Sequence, residues 1–440
     1  MNKRFVKWLY HELSELVDQG IVPEETAENI RQYYGPVQEI NKRKIALIVF
    51  SCFGAIFIGL GILLLLANNW SELSRSSRTI LSMTLLLAAQ FLTGWTLLYK
   101  KDSIAWRESA STFLMLSIGI TISLICQTYH ISGNTSDFIL TWMVLGIPVV
   151  YLLDASLPIL FYLIGMIIWS IEVQSAYGHA MLFWPLFALI IPHFWKSIKR
   201  DPLSFRSVHL SWEICLCLCI ATGIVLEKRL PGLWIIVYAS LFVVMFYIGL
   251  IRFDHSKGIR YRPFQNVGLG GIYVLSLLLS YDWPWKEIGW RYFRSGSLHH
   301  GTAAILDIIL AVVLFSLVIC YLGDSARKKQ FSNLYIGLAP VVAVIAYLIA
   351  GFKDTTVYSV LLFNVYLFVL AVGTIKMGIQ NNRLGIVNLG MLVMSALIFA
   401  RFFDSSISFA ARGLIFIMIG AGFLTANIVL TSRGKYGEPT

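Results

Sequence analysis

The chain alternates between long apolar runs and short polar stretches over most of its length. Each run is roughly 17–24 residues, the length an α-helix needs to cross about 30 Å of hydrocarbon. Within the runs apolar residues occupy every face, as expected for helices surrounded by lipid or by other helices. The predicted crossings are 45–67, 79–99, 109–126, 138–153, 156–173, 180–195, 209–226, 231–251, 264–281, 302–322, 332–351, 355–375, 384–401 and 408–431, about fourteen in all. The fourth to sixth are short and punctuated by Pro148, Pro158, Pro185 and Pro192, so some of them are expected to be tilted, re-entrant or merged. The fold class is therefore all-α, a polytopic transmembrane helical bundle.

Residues 1–41 carry a different pattern, that of a soluble helical hairpin on the cytoplasmic side. Val6, Leu9, Tyr10, Leu13, Leu16 and Val17 recur at helical spacing and form one apolar stripe. Gly20 is placed to end that helix. Pro23 starts a second, with Glu24 and Glu25 favourable in its first turn. Ala27, Ile30 and Tyr34 give it an apolar face, and Gly35-Pro36 stops it. The expected organisation is a hairpin over 1–41, a transmembrane domain over 45–431 and a cytoplasmic tail over 432–440.

Composition supports a membrane rather than an aqueous environment. The 440 residues are 57% hydrophobic and 13% charged, against about 25% charged in soluble domains. The net charge of +11 does not point to nucleic acid, because the basic residues sit in short loops between apolar runs. Contact with the anionic headgroups of the lipid bilayer accounts for them. With the N-terminus in the cytoplasm, roughly 25 of the 35 Lys and Arg residues fall inside and about 10 outside. The inside clusters are Lys42-Arg43-Lys44, Lys100-Lys101, Lys199-Arg200, Arg260 with Arg262, and Arg327-Lys328-Lys329. The orientation is N-in and C-in, in a bacterial inner (cytoplasmic) membrane. Roughly 44 residues rich in acids and amides precede the first run, unlike a cleaved secretory leader.

Ionisable residues within apolar runs are the first candidates for function, since charge in hydrocarbon is costly and faces a partner or water. They are Asp307, Glu172, Glu213 and Arg401, the last with Asp404 one turn on. Either they form a proton or ion relay, or they are structural ion pairs and side chains reaching for an interface. The outer ends collect a second set: Asn68, Asn69, Trp70, Gln127, Tyr129, His130 and Asp282. Either these line a periplasm-facing vestibule, or the aromatics among them are the ordinary belt at headgroup depth.

Established catalytic and metal motifs are missing from the sequence. His11-Glu12 is followed at position 15 by Glu15, not by the second histidine of a zinc protease. Cys215, Cys217 and Cys219 alternate by two, which spreads them around a helix and builds no metal site. Gly268, Gly270 and Gly271 follow no strand and mark no dinucleotide loop. No cofactor, metal or catalytic residue is expected.

The pattern Trp8…Leu16…Gly20-Ile21…Ile30…Tyr33-Tyr34, leading to Asn68-Asn69-Trp70, resembles the bacterial family of predicted membrane proteins called domain of unknown function 2157. Two further stretches are similar to it: Gln127-Thr128-Tyr129-His130…Gly133-Asn134, and Asn388…Arg401-Phe402-Phe403-Asp404…Arg412-Gly413…Phe416…Gly420. The resemblance implies an integral membrane protein and carries no activity with it. Three functions fit the sequence. The first is a transporter-like or channel-like protein moving an ion or small solute. The second is a membrane-embedded enzyme acting on envelope or lipid substrates at the outer face. The third is a non-catalytic scaffold whose amphipathic hairpin meets a membrane-protein partner.

Overall fold

The computed structural model describes residues 3–34, 72–177, 179–226, 231–252, 259–286, 288, 302–328, 331–352 and 356–402, with six isolated positions beyond 409. The first predicted crossing (45–67), nearly all of the last (408–431), the tail, and Asn68, Asn69, Trp70 and Asp404 lie outside the described residues. Among the described residues every regular element is helical. The chain divides into two compact units, residues 1–78 and 79–440.

The first unit holds the hairpin. Helix α1 spans Lys3–Asp18 and α2 spans Glu24–Tyr34. Gly20 adopts φ +71°, a conformation that a side chain disfavours. The N–H of Ile21 reaches Leu16 O at 2.9 Å and that of Gly20 reaches Val17 O at 2.9 Å, the paired bonds that close a helix on a left-handed residue. Leu13 of α1 and Ala27 of α2 are buried, and Tyr10 Oη donates to Arg31 O at 3.1 Å.

The second unit is a set of antiparallel helices. In order they are α3 (Arg75–Tyr99), α4 (Ile104–Tyr129), α5 (Thr135–Leu153), α6 (Leu157–Tyr177), α7 (Phe183–Ala188), α8 (Ile191–Arg200), α9 (Phe205–Val225) and α10 (Leu233–Arg252). There follow α11 (Pro263–Leu279), α12 (Trp283–Lys286), α13 (Thr302–Arg327), α14 (Phe331–Gly337), α15 (Ala339–Phe352), α16 (Val357–Gln380) and α17 (Leu384–Phe402). Among the described residues nine helices are long and apolar enough to cross a membrane, and α11 and α15 are shorter apolar helices. The faces turned away from the packing carry Leu87, Phe91, Val274, Leu392 and Phe399, each more than 60% exposed. Apolar surface on that scale belongs against hydrocarbon rather than water. The packed faces hold small polar residues instead, among them Ser82, Ser111, Ser117, Thr121, Ser240 and Thr374. Thr121 Oγ1, for example, donates to Ser82 O at 3.2 Å. Small residues let helices approach closely in lipid, where apolar side chains gain little by leaving the hydrocarbon for one another.

Most predicted crossings map onto helices with shifted ends. The fourth and fifth are full-length: α5 runs 19 residues through Pro148 and α6 runs 21. The sixth run is broken into α7 and α8, with a turn at Leu189 and Ile190. Pro192 lies in the first turn of α8, where its missing N–H costs nothing, but its ring crowds the carbonyl of Ala188 and ends α7 there. Pro340 acts in the same way on the eleventh run, which splits into α14 and α15 at Leu338. Two tyrosines hold the first break: Tyr162 Oη donates to Leu186 O at 3.0 Å, and Tyr151 Oη donates to Leu189 O. Carbonyls freed by a broken helix need such partners at membrane depth.

Two large buried clusters organise the bundle. One joins α4 to α9, with residues such as Met143, Tyr162, Phe183 and Ile214. The other joins α10, α11 and α13 to α17, with Ile235, Ile272, Phe363 and Leu370. Helix α10 contributes to both through Val243 on one side and Met245 on the other.

Candidate functional site

The densest charge in the described residues gathers around Asp154, in the turn between α5 and α6. Asp154 has φ +49°, and the N–H of Ala155 bonds Val150 O at 3.1 Å, so it occupies the left-handed position that closes α5. Aspartate tolerates that conformation better than most residues. The turn lifts its carboxylate toward α8 and α9.

Five side chains converge on that carboxylate. Arg200 Nη1 lies 2.8 Å from Oδ2, Lys196 Nζ 3.3 Å from Oδ1, and Arg206 Nη1 3.4 Å from Oδ2. Arg107 Nη1 stands at 3.7 Å and His193 Nδ1 at 3.9 Å. His193, Lys196 and Arg200 share one face of α8, at i, i+3 and i+7. Burial, the largest single effect on Asp154, opposes ionisation. The hydrogen bond from Arg200 and the charges of Arg206 and Lys196 outweigh it and hold the carboxyl down to about 2. Asp154 is therefore ionised throughout the physiological range.

Arg206 ties the site together. Its Nε donates to Ser156 Oγ, its Nη1 faces Asp154, and its Nη2 sits 2.7 Å from His193 Nε2. A guanidinium only donates, so His193 Nε2 accepts and the ring is neutral with its proton on Nδ1, toward Asp154. His193 is 3% exposed, and the Tyr151 ring meets it edge-on at 5.9 Å. One residue after Arg107, the Glu108 carboxylate accepts from the N–H of Ser156 (2.9 Å) and of Leu157 (2.7 Å). That satisfies the exposed donors at the start of α6 with a negative charge where the helix dipole favours one.

The other candidates are distributed as follows. Glu213 lies in α9 within electrostatic reach of Glu108, with its Oε2 buried and no hydrogen-bond partner among the described residues. It therefore borders the Asp154 cluster. Asp307 is buried on the face of α13 that carries Ala304 and Ala311, beside the small cluster of Leu226, Val237 and Ala311. Glu172 is exposed on α6, and Gln127 is exposed near the end of α4. Tyr129 Oη is 3.1 Å from Thr79 Oγ1. His130 closes α4 at φ +51° and is exposed. A pocket of about 380 Å³ opens beside it between α4 and α5, lined in part by Ser123, Cys126, Asn134, Asp137 and Thr141.

Arg401 and Asp282 belong to the other half of the bundle. The Arg401 guanidinium lies 4.4 Å from the Tyr281 ring centre and donates to Ser280 Oγ at 3.2 Å. Asp282 pairs with Lys286 at 2.8 Å. The structure thus brings Arg401 next to the 280–282 corner. Gln127 and His130 lie at the end of α4, and Glu172 on α6, among helices of the other cluster.

Sequence reasoning passed over Asp154, Arg107, His193 and Arg206. Asp154 stands in a three-residue turn between two apolar helices, where a lone acid does not differ from ordinary loop polarity. Lys199-Arg200 carries an orientation signal in the sequence and no sign of its partner. The available signal was a lone acid between two apolar runs, with basic residues in both neighbouring loops on the same side. No curated protein and no solved structure matches the chain. Residues 14–159, from the last turn of α1 through the Asp154 turn, match the model of the family described as Predicted membrane protein (DUF2157).

Proposed function

We propose that this membrane protein is transporter-like or channel-like, that it lies N-in and C-in in a bacterial inner membrane, and that it moves an ion or small solute. The observation that carries this reading is the ion-pair cluster of Asp154 beside a broken crossing. The cluster links the start of α4, the α5–α6 turn, α8 and the start of α9. At the neighbouring break, Leu189–Ile190, the backbone keeps only i→i+3 bonds, Leu189 N–H to Leu186 O at 3.2 Å and Ile190 N–H to Phe187 O at 3.1 Å, and the hydroxyls of Tyr151 and Tyr162 bond the carbonyls of Leu189 and Leu186. Discontinuous helices of this kind give transporters a movable element next to a solute path. The cluster then acts as a latch on the cytoplasmic mouth. Arg107, Lys196, Arg200 and Arg206 outnumber Asp154 and Glu108, which favours an anionic solute. The orientation draws support from the basic residues at that same end, in the segments 100–107, 196–206, 260–262 and 327–328.

Flux into proteoliposomes tests the reading, with interior dyes for halide, phosphate and pH, for wild type and Asp154→Asn. Wild type is expected to pass at least one anion, and the variant to change that rate at least about tenfold, the effect of about 1.4 kcal/mol on the latch. Flat halide, phosphate and pH traces for both proteins overturn it.

A further inference from the structure

We propose that the exposed face of α8, together with the end of α10, binds the headgroup of an anionic phospholipid. Helix α8 is sharply two-sided. His193, Ser197 and Ile198 are buried, whereas Ile191, Trp195 and Lys199 lie exposed at i, i+4 and i+8. The Trp195 indole is 43% exposed and is flanked by two cations. The Arg252 guanidinium carbon lies 4.7 Å from its ring centre, and Lys199 Nζ lies 5.5 Å away. Among the described residues neither cation has a carboxylate partner. The nearby Asp201 carboxylate is engaged with the N–H of Leu203 at 2.9 Å, and Asp154 is already shared among Lys196, Arg200, Arg206 and Arg107.

This surface combines the elements a lipid headgroup requires. Arg252 closes the apolar helix α10, so its charge sits where that crossing leaves hydrocarbon. Ile251 beside it is 59% exposed and Ile191 is 49% exposed, which supplies apolar surface for acyl chains directly below the charges. An indole at this depth is an interfacial anchor. The ring brings both cations to one spot, and a phosphodiester reached by Lys199 and Arg252 satisfies both while its chains follow Ile191 and Ile251. Free phosphate has no use for the apolar half of the surface, so the occupant is a lipid.

The test uses the full-length protein in neutral detergent, with melting followed as phosphatidylglycerol, phosphatidylcholine or inorganic phosphate is added. Phosphatidylglycerol is expected to raise the melting temperature at concentrations where the other two do nothing. The Arg252→Gln/Lys199→Gln double variant is expected to need about thirtyfold more phosphatidylglycerol for the same shift. Arg252→Lys keeps the charge and is expected to retain most of the response, which separates lost binding from lost fold. An equal shift with phosphatidylcholine, an equal shift with phosphate alone, or an unchanged response in the double variant each overturns the proposal.

Discussion

At the residue scale, Asp154 shows how one backbone dihedral creates a site. Its φ of +49° turns the chain sharply enough that a carboxylate from the end of α5 faces two later helices. Its cost of burial is met by four cations, and removing the acid leaves those cations facing one another, a larger penalty than the pair itself contributes. The pH dependence follows in sign. The folded-state carboxyl, at about 2, lies below the ordinary value near 4, so its contribution is complete above about pH 4 and is lost as the pH falls through about 2. Melting of wild type and Asp154→Asn in detergent should differ by roughly 1–3 kcal/mol, with a constant gap from pH 8 to about 5 and a closing one below about 4. A gap that closes between pH 8 and 6 assigns the effect to some other group.

At the element scale, close helix pairing depends on glycine where two backbones meet. A Cβ at Gly268 of α11 falls 2.5 Å from both Phe242 O and Phe246 N of α10, and backbone has no rotamer by which to yield. Gly270, two residues on, meets nothing within 4 Å. Gly268→Leu should therefore force α10 and α11 apart and destabilise the bundle by about 1–3 kcal/mol or more, while Gly270→Leu leaves melting unchanged. Similar melting curves for both variants mean that this contact does not set the pairing. Because α10 joins both large clusters, the damage should reach the whole bundle. Proline breaks are the other device at this scale. Pro192 and Pro340 each stop the helix about four residues back, yet Pro148 sits inside a continuous α5.

At the scale of the whole molecule, the alternation of helices sorts charge by side. The end of α4 with Gln127 and His130 lies at one end, and the Asp154 cluster lies at the other with Lys100, Lys101 and Arg262. In a cysteine-free background, His130→Cys should react with an impermeant maleimide in intact cells, and Lys101→Cys only after the membrane is opened. The reverse labelling pattern inverts the orientation and moves the Asp154 cluster to the outside. Within the first unit, α1 and α2 form an amphipathic hairpin in which Leu13 and Ala27 are buried.

Helical class, membrane environment and the hairpin were legible in the chain because each rests on local physics. Run length against bilayer thickness, apolar periodicity, and Gly20 with Pro23 at a helix junction all act within a few turns. The breaks at Leu189 and Leu338 were half legible, since proline marks a place where a helix can end but neighbouring carbonyl acceptors and donors decide whether it does. Intramembrane charge drew attention to Asp307, Glu172 and Glu213, because a charge inside an apolar run stands out in one dimension. Asp154 did not stand out, because its partners are some 40 to 50 residues away along the chain. Their meeting depends on the antiparallel packing of α4, α5, α6, α8 and α9, and only the tertiary structure supplies that.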